Sequence, residues 1–236
     1  MPSESLAEEN EQPIMSTHDM PFIIYGTAWK KQRTGDLDTV PYDPNAPVYE
    51  QVLASCEVSL HNLQTRYLDG YILHSPFKVF EQTVEAWRAM ESLYHQGKIG
   101  HLGISNCYQL EVLQNLYKIA EIKPTLVQNR FYDETGYDIE LRRWCREHDI
   151  ANQSFWTLTA NPHLLTNSVL VQLAGQYGKA PAQVLFNYLR QRNVTPLTGT
   201  KSVEHMKLDL NSFDVNFSAD ELHQIDLLLE EFATPI

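Results

Sequence analysis

After residue 20 the chain repeats one pattern six times: a short apolar run, a turn, and a longer segment whose apolar positions recur three and four residues apart. The runs 22–29, 69–75, 99–105, 126–131, 150–155 and 194–198 are brief and rich in Ile, Leu, Val and aromatics, and read as strands. Helices are predicted at 48–65, 80–95, 109–120 and 139–147, followed by two pieces at 167–177 and 182–190. In the first, Val48, Val52, Leu53, Cys56, Leu60 and Leu63 make one face, with Pro44 and Pro47 near its entry. Ser202 and Ser218 open two terminal helices, and Glu221 follows Ser218 at the spacing of a capping box. Strands alternating with helices imply an α/β protein with a parallel sheet.

Composition narrows the picture. The first twenty residues hold Glu4, Glu8, Glu9, Glu11 and Asp19 but no Lys or Arg, so residues 1–20 read as a solvated acidic tail and 21–236 as one domain. The loop 30–47, with Pro41, Pro44 and Pro47, is of a length that is usually functional or mobile. A formal charge of −12 opposes phosphate backbones and anionic lipids, which argues against nucleic acid and membrane as partners. No stretch reaches the roughly 18 apolar residues of a membrane span, and the tail lacks a signal pattern, so a cytoplasmic location is expected. Cys56, Cys107 and Cys145 are odd in number and far apart, and the nine His show no ligand spacing; neither a disulfide framework nor a metal site is expected.

In parallel β/α folds the chemistry collects where strands end and lead into helices. Here those ends read His74-Ser75-Pro76, Ser105-Asn106, Gln128-Asn129, Asn152-Gln153-Ser154-Phe155-Trp156 and Thr198-Gly199-Thr200. Ser, Asn, Thr and Gly are common turn and cap residues. Gln128 and His74 are poor caps, however, and five polar strand ends in succession favour a shared pocket for a small molecule.

The same strand ends carry a family resemblance. LHNLQTRYLDGYILHSP at 60–76, GKIGHLGISN at 97–106, VQNRF at 127–131 and PLTGTKSVEHM at 196–206 are similar to the aldo-keto reductase family, over residues 22–232. VPYDP at 40–44 and QSFWTLTANPHLL at 153–165 resemble a fungal branch associated with secondary metabolism. The resemblance implies a TIM-type (β/α)₈ barrel that holds NADPH at its carboxyl face and reduces carbonyls with an Asp, a Tyr, a Lys and a His. His74 matches the His, and 22–29 resembles the third strand, so about six parallel strands correspond to strands 3–8 of an incomplete barrel. The positions of the Asp and Tyr are then unmatched. At the Lys position stands Ala28 without a gap, or Lys30 with a two-residue gap.

By the same resemblance Ser105, Asn106 and Gln128 hold the nicotinamide carboxamide, and Gln153 replaces a stacking aromatic. Thr198, Gly199 and Thr200 lie along the pyrophosphate and adenosine phosphate, His205 stands where Arg is usual, and Lys201 is nearby. With the proton relay unmatched, a non-redox enzyme is expected, one that needs no cofactor and binds NADP weakly. It would carry out proton transfer, dehydration, isomerisation or cyclisation on an oxygenated, polyketide-like metabolite. His74 would be its acid or base, Asn106, Gln128 and Gln153 would orient the substrate, and Trp29, Phe131, Tyr132, Phe155 and Trp156 would wall the pocket. Two alternatives stand beside it: an NADPH-dependent carbonyl reductase with Lys30 or Tyr25 as proton donor, and a non-catalytic binding or regulatory subunit. Strands in chain order leave edges at 22–29 and 194–198, for which a homodimer is the expected cover.

Overall fold

The computed structural model of the protein describes residues 21, 23–25 and 40–233. The expectations for the acidic tail, for Trp29 and for Ala28 or Lys30 at the lysine position fall outside these residues. Elements follow in the order β1 (Ile24–Tyr25), α1 (Val48–Leu63), β2 (Leu68–Leu73), α2 (Phe80–His95), β3 (Ile99–Ser105), α3 (Leu110–Ile119), β4 (Leu126–Arg130), α4 (Ile139–Glu147), β5 (Ala151–Phe155), α5 (Pro162–Leu165), α6 (Ser168–Tyr177), α7 (Pro181–Gln191), β6 (Val194–Thr198), α8 (Val203–Leu210) and α9 (Ala219–Phe232). The predicted strand 22–29 is described only at Ile24–Tyr25, and the other predicted strands and long helices are present within a few residues. The short α5 and a 3-10 turn at Asp133–Asp138 were not anticipated, because both are too brief to show periodicity.

Helix faces and caps explain the outer layer. Leu60 and Cys56 of α1, Trp87, Met90 and Leu93 of α2, and Leu113 and Leu116 of α3 are buried against Leu102 and Ile104 of β3. Full burial of such side chains is worth about 1.5–3 kcal/mol each. A second cluster joins Leu170 and Leu173 of α6, Leu185 and Leu189 of α7, and Ile225 and Leu229 of α9. Glu91, buried in α2, is satisfied on both oxygens: it accepts from the Glu121 and Ile122 amides and pairs with Arg88. The anticipated capping box on α9 forms, with the Glu221 amide donating to Ser218 Oγ and the Ser218 amide donating to Glu221 Oε2 at 2.7 Å.

All strand pairings are parallel, in the order β1-β6-β5-β4-β3-β2. This corrects the expected edges. β1 lies beside β6, with Ile24 opposite Leu197 and Tyr25 opposite Thr198, and Thr195 Oγ1 donates to the Pro21 carbonyl. The backbone groups of β6 are therefore met by the chain itself, as unpaired strand edges demand, and 194–198 is not an edge. Among the described residues the sheet ends at β1 and β2, and the barrel is not closed. None of the described helices is long and apolar enough to cross a membrane.

One close approach fixes β3 on β4. A Cβ on Gly103 would lie 2.6 Å from Leu126 Cγ and 2.9 Å from the Leu126 carbonyl oxygen. Gly103→Ala is expected to lower unfolding free energy by about 1–3 kcal/mol, as overpacking in a core does. Urea denaturation measures it, and an unchanged midpoint would contradict this contact.

Candidate active site

Strand alternation decides which side chains share the inner face. Tyr71 and Leu73 of β2, Leu102 and Ile104 of β3 and Val127 of β4 pack on the helix side. Residues His74, Ser105, Gln128 and Arg130 therefore belong to the opposite face. Register then aligns them: Ser105 stands opposite Gln128, and Gln128 opposite Gln153.

The row is joined by hydrogen bonds. Gln128 Nε2 donates to Gln153 Oε1 at 2.8 Å, and Ser105 Oγ donates to the Gln128 carbonyl at 2.6 Å. Asn106, in the left-handed region with φ 49°, turns its Nδ2 to the His74 carbonyl at 2.8 Å and to Ser105 Oγ at 3.2 Å. Asn tolerates that backbone conformation better than most residues. Tyr108 OH donates to Asn106 Oδ1 at 3.0 Å, and burial raises the Tyr108 hydroxyl above its ordinary range. Five sequence-expected positions thus meet: His74, Ser105, Asn106, Gln128 and Gln153. The His74 side chain itself is exposed.

The phosphate-end residues form a separate group at the β6–α8 turn. Thr198 Oγ1 donates to Asp209 Oδ2, Thr200 Oγ1 accepts from the Ser202 amide, and Ser202 Oγ caps α8 through the His205 amide. Gly199, Lys201 and the His205 side chain are exposed. Phe131 requires a correction. It is buried at 3% exposure in the helix-side cluster, with its ring 4.8 Å from that of Tyr137. Alternation continued past β4 places 131 on the side of 127 and 129, so it is a core residue that, with Arg130 and Gln153, borders only a cavity of about 10 Å³. Phe155 is half-buried at the end of β5, opposite Arg130.

Tyr132 and Trp156 flank a residue that sequence reasoning passed over. The Arg130 guanidinium carbon lies 4.2 Å from the Trp156 ring centre and 4.9 Å from that of Tyr132. Such stacking is worth about 0.5–2 kcal/mol and holds the cation in place. Trp156 adopts a φ of 56° and is 55% exposed. A bulky residue in that region carries local strain, which the neighbouring contacts sustain.

Behind the row lies a buried polar layer. Asn129 Oδ1 accepts from the Cys107 amide, while its Nδ2 donates to the Cys107 carbonyl at 2.8 Å and to Asp138 Oδ2 at 3.0 Å. Burial pushes the Asp138 carboxyl up to about 6, against lowering by Asn129, Arg142 and Thr135. Its Oδ1 has no hydrogen-bond partner among the described residues. Burial also pushes the Cys107 thiol up to about 12, which makes it a poor nucleophile.

Comparison with known proteins gives the arrangement a context. Residues 44–230 match the model of the Aldo/keto reductase family. Glyoxal reductase of Bacillus subtilis is 37% identical over 182 residues, covering 76% of this chain and 63% of that protein. The NADPH-dependent alpha-keto amide reductase of Saccharomyces cerevisiae is 29% identical over 208 residues, covering 83% and 66%. The crystal structure of MGS-M4, an aldo-keto reductase enzyme from a deep-sea metagenome library, superposes with a TM-score of 0.73 at 23% identity, over 83% of this chain and 71% of that one. The chain spans about 63% of the length of the first of these relatives.

These names overturn two expectations. Both curated relatives are reductases, against a non-redox proton transfer, dehydration, isomerisation or cyclisation. One is NADPH-dependent by name, against a protein that requires no cofactor. The unmatched proton relay argues for lost redox chemistry, but the row of amide and hydroxyl groups is intact, and the relatives agree with the row.

The Asp138 carboxyl yields a test. Its folded value lies above the ordinary 3.8, so the native state holds more protons than the unfolded state between about pH 4 and 6. Its contribution to stability is complete below that window and is lost as pH rises through about 6, by up to about 3 kcal/mol. Asp138→Asn is expected to flatten this dependence when urea unfolding is measured from pH 4 to 7. The same slope in the variant and the parent would show that the carboxyl is not so perturbed.

Proposed function

The chain belongs to the aldo/keto reductase family, and we propose on that premise that it is an NADPH-dependent reductase of small aldehydes or ketones. The observation that carries the reading is the row Ser105, Asn106, Gln128 and Gln153, joined at the carboxyl ends of β3, β4 and β5. A primary carboxamide presents two N–H donors and one acceptor oxygen. Side-chain amides and a hydroxyl offer both kinds of partner, so the residues present fit a nicotinamide. When bound, NADPH supplies a hydride to the carbonyl carbon.

The chain's own groups have four tasks in this reading. Asn106, Gln128 and Ser105 orient the carboxamide, and Asn106 at the same time holds the His74 backbone through its carbonyl. Arg130, fixed between two rings, presents a positive charge suited to the anionic groups of a dinucleotide. His74 hydrogen-bonds the substrate carbonyl oxygen and polarises it. Trp156 and Tyr132 give that mouth an apolar rim.

In the same reading His74 is the one of the family's four catalytic positions with a clear match in these 236 residues. General acid catalysis is worth about 10²- to 10⁴-fold, so turnover is slow for a reductase. The names of the relatives suggest substrates with adjacent carbonyls, such as glyoxal and α-keto amides.

The test uses the full chain. NADPH binding is read by quenching of tryptophan fluorescence, and turnover by NADPH consumption with glyoxal and an α-keto amide. Expected are binding that Asn106→Ala weakens, and slow turnover that His74→Ala lowers by about 100-fold in kcat/KM. Absence of NADPH binding, or turnover indifferent to His74→Ala, would refute the proposal.

A further inference from the structure

A second concentration of charge lies on the outer helical layer, away from the strand ends. On α4 the residues Ile139, Arg142, Arg143 and Arg146 stand at helix positions i, i+3, i+4 and i+7, which form one face. With Tyr188 and the adjacent Arg192 from the end of α7, and Asp226 and Glu230 from α9, that face encloses a cleft of about 270 Å³. Four of the nine arginines of a chain with a formal charge of −12 line this one cleft.

The partners of these groups decide what the cleft can do. Asp226 is occupied: it accepts from Tyr188 OH at 2.6 Å and from Arg192 Nε at 3.1 Å, and its second oxygen pairs with another nitrogen of Arg192. Arg142 is 9% exposed and donates Nε to the Tyr137 carbonyl at 2.9 Å, which fixes it at the floor. Arg143 and Arg146 are exposed and make no hydrogen bond or ion pair among the described residues. Glu230 is the remaining carboxylate. Among the lining residues four guanidinium groups face two carboxylates, and Asp138 behind Arg142 attracts it as a third when ionised, above about pH 6, so at least one positive charge stays unmatched. Burial depresses the Arg142 guanidinium below its ordinary range; the Arg146 charge adds a little to this, while Tyr188, Asp138 and Asp226 oppose it.

We infer that this cleft is an anion-binding site for a small molecule bearing a phosphate group. Planar guanidinium forks converging from several directions match an oxyanion with several oxygens. The excess of positive charge suits the negative charge of a phosphate monoester. The volume lies near the lower limit of ligand clefts, which run from about 300 to 1,000 Å³. A polymer such as duplex DNA is excluded by the chain's overall charge, and its surface does not reach a buried Arg142.

The experiment titrates the full chain with inorganic phosphate and with glycerol 3-phosphate, using glycerol and chloride of matched ionic strength as controls. Heat of binding and the shift in Tm are followed, with and without saturating NADPH. Saturable binding that persists beside NADPH is expected. Arg143→Ala/Arg146→Ala, both exposed positions, should weaken it at least about tenfold, the value of one charge-assisted hydrogen bond. Glu230→Gln should tighten it. The inference fails if phosphate does not bind saturably, if NADPH abolishes binding, or if neither variant changes it. Because the readout is binding and not turnover, a chain without reductase activity would leave this test intact.

Discussion

The candidate site depends on the parallel register of three strands. Side chains in a strand alternate with a period of two, so a slip of one residue between β3, β4 and β5 would turn Ser105, Gln128 or Gln153 into the helix layer. Gly103 prevents that slip from one side, since its missing side chain lets Leu126 lie against the β3 backbone. The hydrogen bond between Gln128 and Gln153 acts from the other, as it forms only when the two stand level. Packing and polar contacts thus enforce the same alignment.

Beneath the row, Asn129 binds both backbone groups of Cys107, and so ties the loop after β3 to β4. That loop carries Asn106, whose backbone departs from ordinary strand geometry. A buried amide with every polar atom satisfied is worth keeping in a core because removing it strands its partners. The neighbouring Asp138 is the weaker member of this layer, with one oxygen unpartnered and a carboxyl that prefers to be neutral. The site therefore rests on one well-satisfied side chain and one that responds to acidity.

Much of this was legible from residue order. Periodicity placed β3, β6, α2 and α4 at their observed bounds, because each is a short hydrophobic run or an amphipathic stretch with clear punctuation. The polar strand ends likewise marked the residues that the hydrogen bonds join into a row. Three things were not legible. Phe131 was assigned to the pocket by its type, although one residue past β4 its odd number puts it on the side of Val127 and Asn129, among core side chains. Arg130 was overlooked because a charged residue in a strand reads as solvated until its ring partners, 26 residues on in the case of Trp156, are brought together. The pairing of β1 with β6 joins residues more than 170 positions apart, and no local pattern encodes it.

The sheet order has a consequence for His74. Among the described residues β2 pairs with β3 alone, so the imidazole rides at the tip of a rim strand, clamped along one flank like a cantilever. Stiffness at such a tip comes from whatever braces its free end. Here the brace is a single amide, Asn106 Nδ2 on the His74 carbonyl, and the same side chain sits in the carboxamide row. In the proposed reading the position of His74 and the hold on a dinucleotide are then set by one rotamer, so substitution at 106 would move both together.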